Sequence, residues 1–370
     1  MALFVGLMSG TSLDGIDAAL VEIDDEGSRP RLIDALCLPL ETALRDGLLA
    51  LTQASGVTFA MLGEIEHAFC EHQARAVNAL LARQSLEADA ITAIGSHGQT
   101  IEHAPQAASP FTCQLDNPSR LAELTGCRVV ADFRRRDLAA GGQAAPLAPI
   151  FHRALFTHAT RTRLVLNLGG IANLTRLAPT QSPEPVVGFD TGPANLLIDA
   201  WHRRHRGTPF DKDGAWAASG RVDAPLLERL LDDAYFTAPP PKSTGREHFH
   251  LDWVAPRLGG HETAADVQAT LTELTVVSVA RATAPFVRAG NSDLIVCGGG
   301  AHNAHLIARL MSSLPGIQLL HCEDFGWSAD WLEAGAFAWL AWRRLHGLPG
   351  NLPEVTGASG ERVLGGVYAP

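Results

Sequence analysis

Basic residues are scarce in this chain. Lys and Arg number 29 against 40 Asp and Glu, for a formal net charge of −11. That balance argues against a protein that holds nucleic acid through a basic surface. It leaves room for a local basic groove, or for an anion held by backbone amides. No C-x-x-C pair occurs among the six cysteines, Cys37, Cys70, Cys113, Cys127, Cys297 and Cys322. A chain of 370 residues does not need disulfide staples to fold, so free thiols in a reducing cytoplasm are expected. The opening MALFVGLMSG lacks the basic segment of a signal peptide. The longest uncharged apolar stretch near the C-terminus, Ala334–Trp342, falls far short of the ~20 residues that span a bilayer. The expectation is a soluble cytoplasmic protein with neither membrane nor nucleic acid as partner.

Several familiar fingerprints are also missing. Gly10 and Gly15 have the spacing of a P-loop, yet Ile16-Asp17 stand where Lys-Ser/Thr is required. No glycine turn reads G-x-G-x-x-G ahead of a helix, so a dinucleotide fold is not indicated. No G-x-S-x-G elbow is present, which counts against a serine hydrolase. Glu64, His67, Cys70 and His72 fit one helix face only in part, and His302 and His305 follow a glycine turn. Neither set has the paired spacing of a structural zinc site.

What is present is a chain that is 46% hydrophobic and 19% charged, able to build sizeable cores and long enough for two domains. Leu3–Met8 and Ile16–Ile23 read as a hairpin around a glycine-bearing turn. Leu44–Arg83 carries helical periodicity. Ile91–Ile94 reads as a short buried strand that delivers Gly95-Ser96-His97-Gly98-Gln99-Thr100 in a following loop. Arg128–Ala131 is another strand, followed by Asp132-Phe133-Arg134-Arg135-Arg136. A domain junction is expected near residue 140, with a connecting helix at Pro146–Phe156. Beyond it, Leu164–Leu168 leads to Gly169-Gly170-Ile171-Ala172-Asn173, and Val186–Phe189 leads to Asp190-Thr191-Gly192-Pro193 ahead of a helix. Val267–Ala284 is helical, Leu294–Cys297 is a strand ending in Gly298-Gly299-Gly300, and a last helix starts near Ser328. Strands alternating with helices, several strands ending in glycine, indicate an α/β architecture with ligands at strand ends.

Three glycine turns follow β-rich runs: Gly10–Gly15, Gly169–Asn173 and Gly298–Gly300. Glycine lets the backbone approach a phosphate and aim N–H groups at its oxygens. One such turn would be unremarked; three, with hydroxyls at Ser9, Thr11 and Ser12, point to nucleotide phosphates. Asp14 and Asp17 replace the cation a P-loop would bring, and an acid beside phosphates suggests bound magnesium. Asp190, at a strand end, fits either a catalytic base or the N-cap of the next helix. Asp132 follows a strand, and the arginines after it would pair with a substrate carboxylate or form a solvated basic run. His97 and Gln99 would bind a polyol or satisfy a loop. Glu333, between Leu332 and Gly335, either lines a cleft or faces solvent.

The blocks together resemble the anhydro-N-acetylmuramic acid kinases. Gly6-Leu7-Met8-Ser9-Gly10-Thr11-Ser12-Leu13-Asp14-Gly15-Ile16-Asp17 is similar to that family's opening. Gly95–Thr100, Ala131–Arg134, Gly188–Pro193, Lys242-Ser243-Thr244-Gly245-Arg246-Glu247 and Cys297-Gly298-Gly299-Gly300-Ala301-His302-Asn303 follow in the family's order over nearly the whole chain. The resemblance implies a two-lobed actin-like (ribonuclease H-like) ATPase fold with a central cleft. Residues 1–140 would form an N-terminal lobe with the first phosphate turn and sugar-contacting loops. Residues 141–370 would form a C-terminal lobe with the second phosphate turn, the base and the adenosine turn. It implies ATP and Mg2+ as cofactors, 1,6-anhydro-N-acetylmuramic acid as substrate, and a homodimer. The family reaction opens the anhydro bridge with water and phosphorylates O6 in cell-wall recycling. Nucleotide contacts fall on Gly10, Thr11, Ser12, Leu13, Asp14, Gly15, Ile16, Asp17, Gly169, Gly170, Asn173, Gly298, Gly299 and Gly300. Asp190 resembles the base, and His97, Gln99, Asp132, Arg134 and Glu333 the sugar contacts. Many members of the wider superfamily carry Asp two residues before the first-turn glycine, where this chain has Met8, so Asp14 or Asp17 would direct the metal. The alternatives are another sugar kinase of the same fold, or a non-enzymatic actin-like ATP switch. A small-sugar requirement for ATP turnover separates these readings.

Overall fold

The computed structural model describes residues 1–370 except Thr11, Ser12, Ser55 and Ala289. The chain folds as two units, 1–155 with 331–370, and 156–330.

The first unit is built on strands β1 (Ala2–Ser9), β2 (Gly15–Ile23), β3 (Arg31–Pro39), β4 (Ile91–Ala104), β5 (Phe111–Leu115) and β6 (Val129–Ala131). The first three form an antiparallel meander, as the hairpin pattern predicts. β4 then adds parallel to β1, and β6 parallel to β4. A terminal strand, Gly366–Tyr368, closes the edge on β6, while β5 pairs with β4. The periodic run read from Leu44 to Arg83 is two helices, Thr42–Gln53 and Phe59–Arg83. Thr58 stops a single helix from forming, because its side chain caps the second one by accepting from the Met61 N–H. Leu48, Phe69, Val77 and Leu80 of these helices join Val5, Leu20 and Ile94 of the sheet in one core.

The expected lobe boundaries differ from these units. Residues 331–370, expected in the C-terminal lobe, belong with the N-terminal segment. The last helix, Leu332–Leu345, lies directly on the central strands, because Gly6 and Gly95 face each other across β1 and β4. A Cβ at Gly6 would collide with the Ala334 carbonyl, and one at Gly95 with the Phe337 carbonyl. Trp339 Nε1 also donates to the Gly27 carbonyl at 2.9 Å. The other junction falls at 155/156 rather than near 140, at the end of the helix Ala148–Phe156.

The second unit repeats the scheme. β7 (Thr162–Leu168), β8 (Ile171–Leu177) and β9 (Val187–Pro193) form a meander. β10 (Ser292–Cys297) adds parallel to β7, and β11 (Gln318–His321) parallel to β10. The helix Ala264–Thr283 stops just before Pro285, as the sequence predicts. Its Val276 and Val279 pack into the same apolar core as Leu164, Leu166 and Leu294. Among the described residues no helix is long and apolar enough to cross a membrane.

Candidate functional site

In the first unit the glycine turn joins β1 to β2. Gly10 accepts the Leu13 N–H at 3.2 Å. Leu13 is buried with φ of +58°, a left-handed conformation that costs a branched residue energy and is usually held for a reason. Ser9 Oγ donates to Gln99 Oε1 at 2.7 Å and lies 3.3 Å from the Gly15 carbonyl. The turn is thereby tied to β4. Thr11 and Ser12 lie outside the described residues. Gly15 and Ile16 are buried at the start of β2, and Asp14 is exposed.

Asp17 is the cross-strand partner of Met8 in β1 and of Cys37 in β3. Cross-strand partners share a face about 5 Å apart. The Asp17 side chain therefore lies beside those of Met8 and Cys37 on one face of the sheet. Burial foremost, with Asp17 and then Asp14, pushes the Cys37 thiol up to about 12. Both carboxylates act on the charge of that thiol, Asp17 as its cross-strand partner, and carboxylate oxygens are the hard ligands Mg2+ takes.

His97 and Gln99 lie inside β4 rather than in a loop after a short strand. The strand continues because β1 pairs with it as far as Gln99, and β5 pairs with it from there onward. His97 is buried, with Nδ1 2.8 Å from the Gly98 carbonyl. Arg134 Nε donates to its Nε2 at 2.9 Å. These two bonds fix one tautomer, with the proton on Nδ1. Burial, and then the Arg134 charge, hold the ring well below its ordinary pKa, so it is neutral. Burial lowers Arg134 to about 10, with Glu333 and Asp137 acting the other way, so it stays a cation.

Glu333 acts on that guanidinium from the first turn of the last helix. Four residues on, the Phe337 ring lies tilted against His97, with centroids 4.7 Å apart, and against Phe133 at 5.5 Å. The structure therefore joins His97 to Arg134, with the exposed Glu333 near enough for its charge to act on the guanidinium. Asp132 follows β6 with φ of +61°, an outlier like Leu13. Burial raises its carboxyl against the pull of Arg135, 3.8 Å away.

In the second unit Gly169 and Gly170 turn between β7 and β8, and their carbonyls receive the N–H groups of Asn195 (3.1 Å) and of Ala194 and Leu196 (2.9 and 3.0 Å). The turn thus sets the start of the helix Asn195–Arg206. Gly298–Gly300 follows β10, which is in parallel register with β7. Gly298 has φ of +77°, and a Cβ there would strike Asn167 Oδ1. The two glycine turns are therefore neighbours at the C-terminal ends of adjacent parallel strands, where α/β sheets hold ligands.

Asn173 lies in β8, not in the turn, because the meander pairs it with Asn167 on one side and Asp190 on the other. One polar row, Asn167–Asn173–Asp190, crosses three strands. Nothing in the sequence singled out Asn167 beyond its place two residues before a glycine.

Asp190 is likewise within a strand, β9. It does not cap the following helix, whose N-cap is Ala194 without a side-chain bond. The β8–β9 register shifts beside it, between Ala172 and Asn173, and such bulges re-aim side chains. Asp190 Oδ2 accepts the Thr244 N–H at 3.0 Å. Among the described residues no hydrogen bond reaches Oδ1. Burial raises its carboxyl to about 6 despite the Thr244 bond, and Glu247 adds to the rise. Tyr235, 2.7 Å from the Asp190 carbonyl, is pushed well above its usual pKa by burial and by Asp190, so it remains a donor. Thr244 lay in the Lys242–Glu247 block, but Tyr235 carried no signal.

Of the histidine sets, His67 pairs with Glu71 at 3.1 Å and His302 with Asp330 at 3.0 Å. Among the described residues one trio has metal-like spacing, Asp223, His261 and Glu262. Asp223 already caps the Leu226 N–H and Glu262 pairs with Arg229.

The family model described as "AnmK: Anhydro-N-acetylmuramic acid kinase" matches residues 2–370. An anhydro-N-acetylmuramic acid kinase of Chromohalobacter salexigens is 66% identical over 372 residues, covering all of both chains. Among solved structures, an activator of 2-hydroxyisocaproyl-CoA dehydratase from Clostridium difficile with bound ADPNP aligns at 9% identity and TM-score 0.45. It covers 93% of this chain and 96% of the other. A ROK family glucokinase from Streptomyces griseus, in complex with glucose and AMPPNP, aligns at 15% identity and TM-score 0.38, covering 91% and 98%. The sequence relationship, full-length and close, carries the assignment: the chain belongs to the anhydro-N-acetylmuramic acid kinase family.

Proposed function

We propose that the chain couples two bond changes on 1,6-anhydro-N-acetylmuramic acid. Water opens the anhydro bridge at C1, and ATP phosphorylates O6, giving N-acetylmuramic acid 6-phosphate and ADP in peptidoglycan recycling. The observation that carries the chemistry is Asp190, a half-buried carboxylate with a raised pKa and one oxygen without a hydrogen bond among the described residues. Asp190 takes a proton from water as the water oxygen bonds to C1. The C1–O6 bond breaks and leaves its electron pair on O6. That oxygen attacks the γ-phosphorus as the bond to ADP breaks. No second carboxyl is needed to protonate O6, unlike in an ordinary inverting glycosidase.

The neutral His97 and the cationic Arg134 form a fixed pair for the sugar, the arginine suited to its lactyl carboxylate. Gly169–Gly170 and Gly298–Gly300 serve the phosphates and the adenosine. Asp14 and Asp17 would hold Mg2+, which when bound neutralises phosphate charge. The repeated topology, a meander followed by parallel strands, supports an actin-like, ribonuclease H-like fold. A cytoplasmic homodimer follows from the family resemblance, and sedimentation of the purified chain tests the dimer.

The pH dependence has a definite sign. The base works ionised, and its pKa is about 6. Sugar kcat/KM is therefore expected to be full above that value and to fall about tenfold per pH unit below it. A profile flat down to pH 5 would contradict the assignment. The reaction itself is tested in 18O-water with ATP, magnesium and the anhydro sugar, read by mass spectrometry. Product with 18O at C1 is expected; slow ADP release without a sugar product would point to the switch reading.

A further inference from the structure

We infer that Asp233 is a positioning residue for the base Asp190, acting through the segment from Tyr235 to His248; the inference rests on the reaction just proposed. Asp190 is held at three points by that one segment. Its N–H donates to the Lys242 carbonyl at 3.1 Å, and its carbonyl accepts from the Tyr235 hydroxyl at 2.7 Å. Its carboxylate accepts the Thr244 N–H at 3.0 Å. Strand pairing places Asp190 in β9, and the 235–244 segment holds its main chain and its side chain from the other side.

That segment has little shape of its own. From Ala238 to His250 there is neither helix nor strand, so no regular hydrogen-bond ladder fixes it. Asp233, its side chain 14% exposed, pins both ends. One oxygen accepts the Tyr235 N–H at 3.0 Å. The other accepts Trp253 Nε1–H at 2.9 Å, and lies 3.2 Å from His248 Nε2 and 3.4 Å from Arg257. With Nε2–H given to Asp233, His248 keeps Nδ1 as an acceptor, 3.4 Å from Thr244 Oγ1. His248 is further fixed by stacking on Phe249 at 4.2 Å and 9°, and by the edge of Tyr235 at 5.8 Å. The path runs from Asp233 through His248 to Thr244, whose amide grips Asp190. A second arm runs through Tyr235. Burial acts to raise the Asp233 carboxyl, but its donors outweigh that and keep it below the ordinary range, so it is an anion when the base is one.

The test is a kinetic cycle on the full chain with ATP, magnesium and the anhydro sugar. Asp233→Asn keeps the size but removes the charge that four donors share. It is expected to lower kcat about 10- to 100-fold, the scale of a sub-ångström to ångström displacement of a catalytic group. The KM values for ATP and sugar should stay within about threefold. In the Asp190→Asn background the same change should cost less than about threefold, because a residue acting only through the base loses its effect with it. Independent, multiplying losses in the double variant would overturn the inference, as would unchanged kcat or a change confined to KM. If Asp233→Asn does not fold, His248→Gln is read by the same criteria. A wild-type chain that does not turn over this sugar would overturn the functional reading and this inference together. An active wild type with an unaffected variant would overturn the inference alone.

Discussion

Asp190→Asn is expected to lower turnover of the anhydro sugar by ~10²–10⁴-fold, the range for loss of a general base. The substitution is nearly isosteric. An asparagine oxygen can still accept the Thr244 N–H, and the backbone bonds to Lys242 and Tyr235 do not involve the side chain. Folding and nucleotide binding should therefore survive. What disappears is a group with a pKa near 6 that can take a proton from water at neutral pH. Initial rates of ADP formation with saturating sugar, beside a nucleotide-binding titration, separate the two effects. Turnover within threefold of wild type would remove Asp190 from the mechanism.

Gly6→Ala and Gly95→Ala are each expected to destabilise the first unit by about 3 kcal/mol, the upper end for overpacking a close-packed core. At both positions the new methyl meets backbone rather than a movable side chain: the Ala334 carbonyl and the Ala338 nitrogen at Gly6, the Phe337 carbonyl at Gly95. Neither strand can yield, because both are central in the sheet and their neighbours are fully buried. The helix Leu332–Leu345 must lift instead. That would withdraw Phe337 from His97 and move Glu333 away from Arg134, so sugar turnover should fall as well. Urea unfolding followed by tryptophan fluorescence measures the first effect, since Trp339 and Trp342 are buried on this helix. A loss below 0.5 kcal/mol, ordinary for a surface change, would mean the close approach carries little energy.

The local pattern of the chain was readable because it depends on near neighbours. The β1–β2 hairpin follows from apolar runs on either side of a glycine turn, and the end of the Ala264–Thr283 helix from Pro285. Strand lengths were harder to read. Gly95 and Gly98 look like a loop after Ile94, yet β4 runs to Ala104 because β1 and then β5 offer it partners. Asn173 and Asp190 looked like turn and corner residues for the same reason. Their place in β8 and β9 is set by pairing between strands, which composition does not encode.

By itself the sequence determined the opening hairpin, the strands that lead into the three glycine turns, and blocks specific enough to name a family, but it gave no sign of β3, β5 or β11. It also pointed to Asp190, His97, Arg134 and Glu333 as chemical groups, but not to Asn167, Asp233 or Tyr235. The tertiary structure alone decided which of those groups meet. Glu333 comes to Arg134 only because two glycines admit a helix from the far end of the chain onto β1 and β4. Asn167 joins the row to Asp190 only through the β7–β8–β9 register. Asp233 reaches Asp190 only through a loop that folds back on it. The basicity of Asp190 is likewise a tertiary property. Its pKa is raised by burial and by Glu247, 57 positions away in the numbering, and removal from water is something only the folded chain can impose.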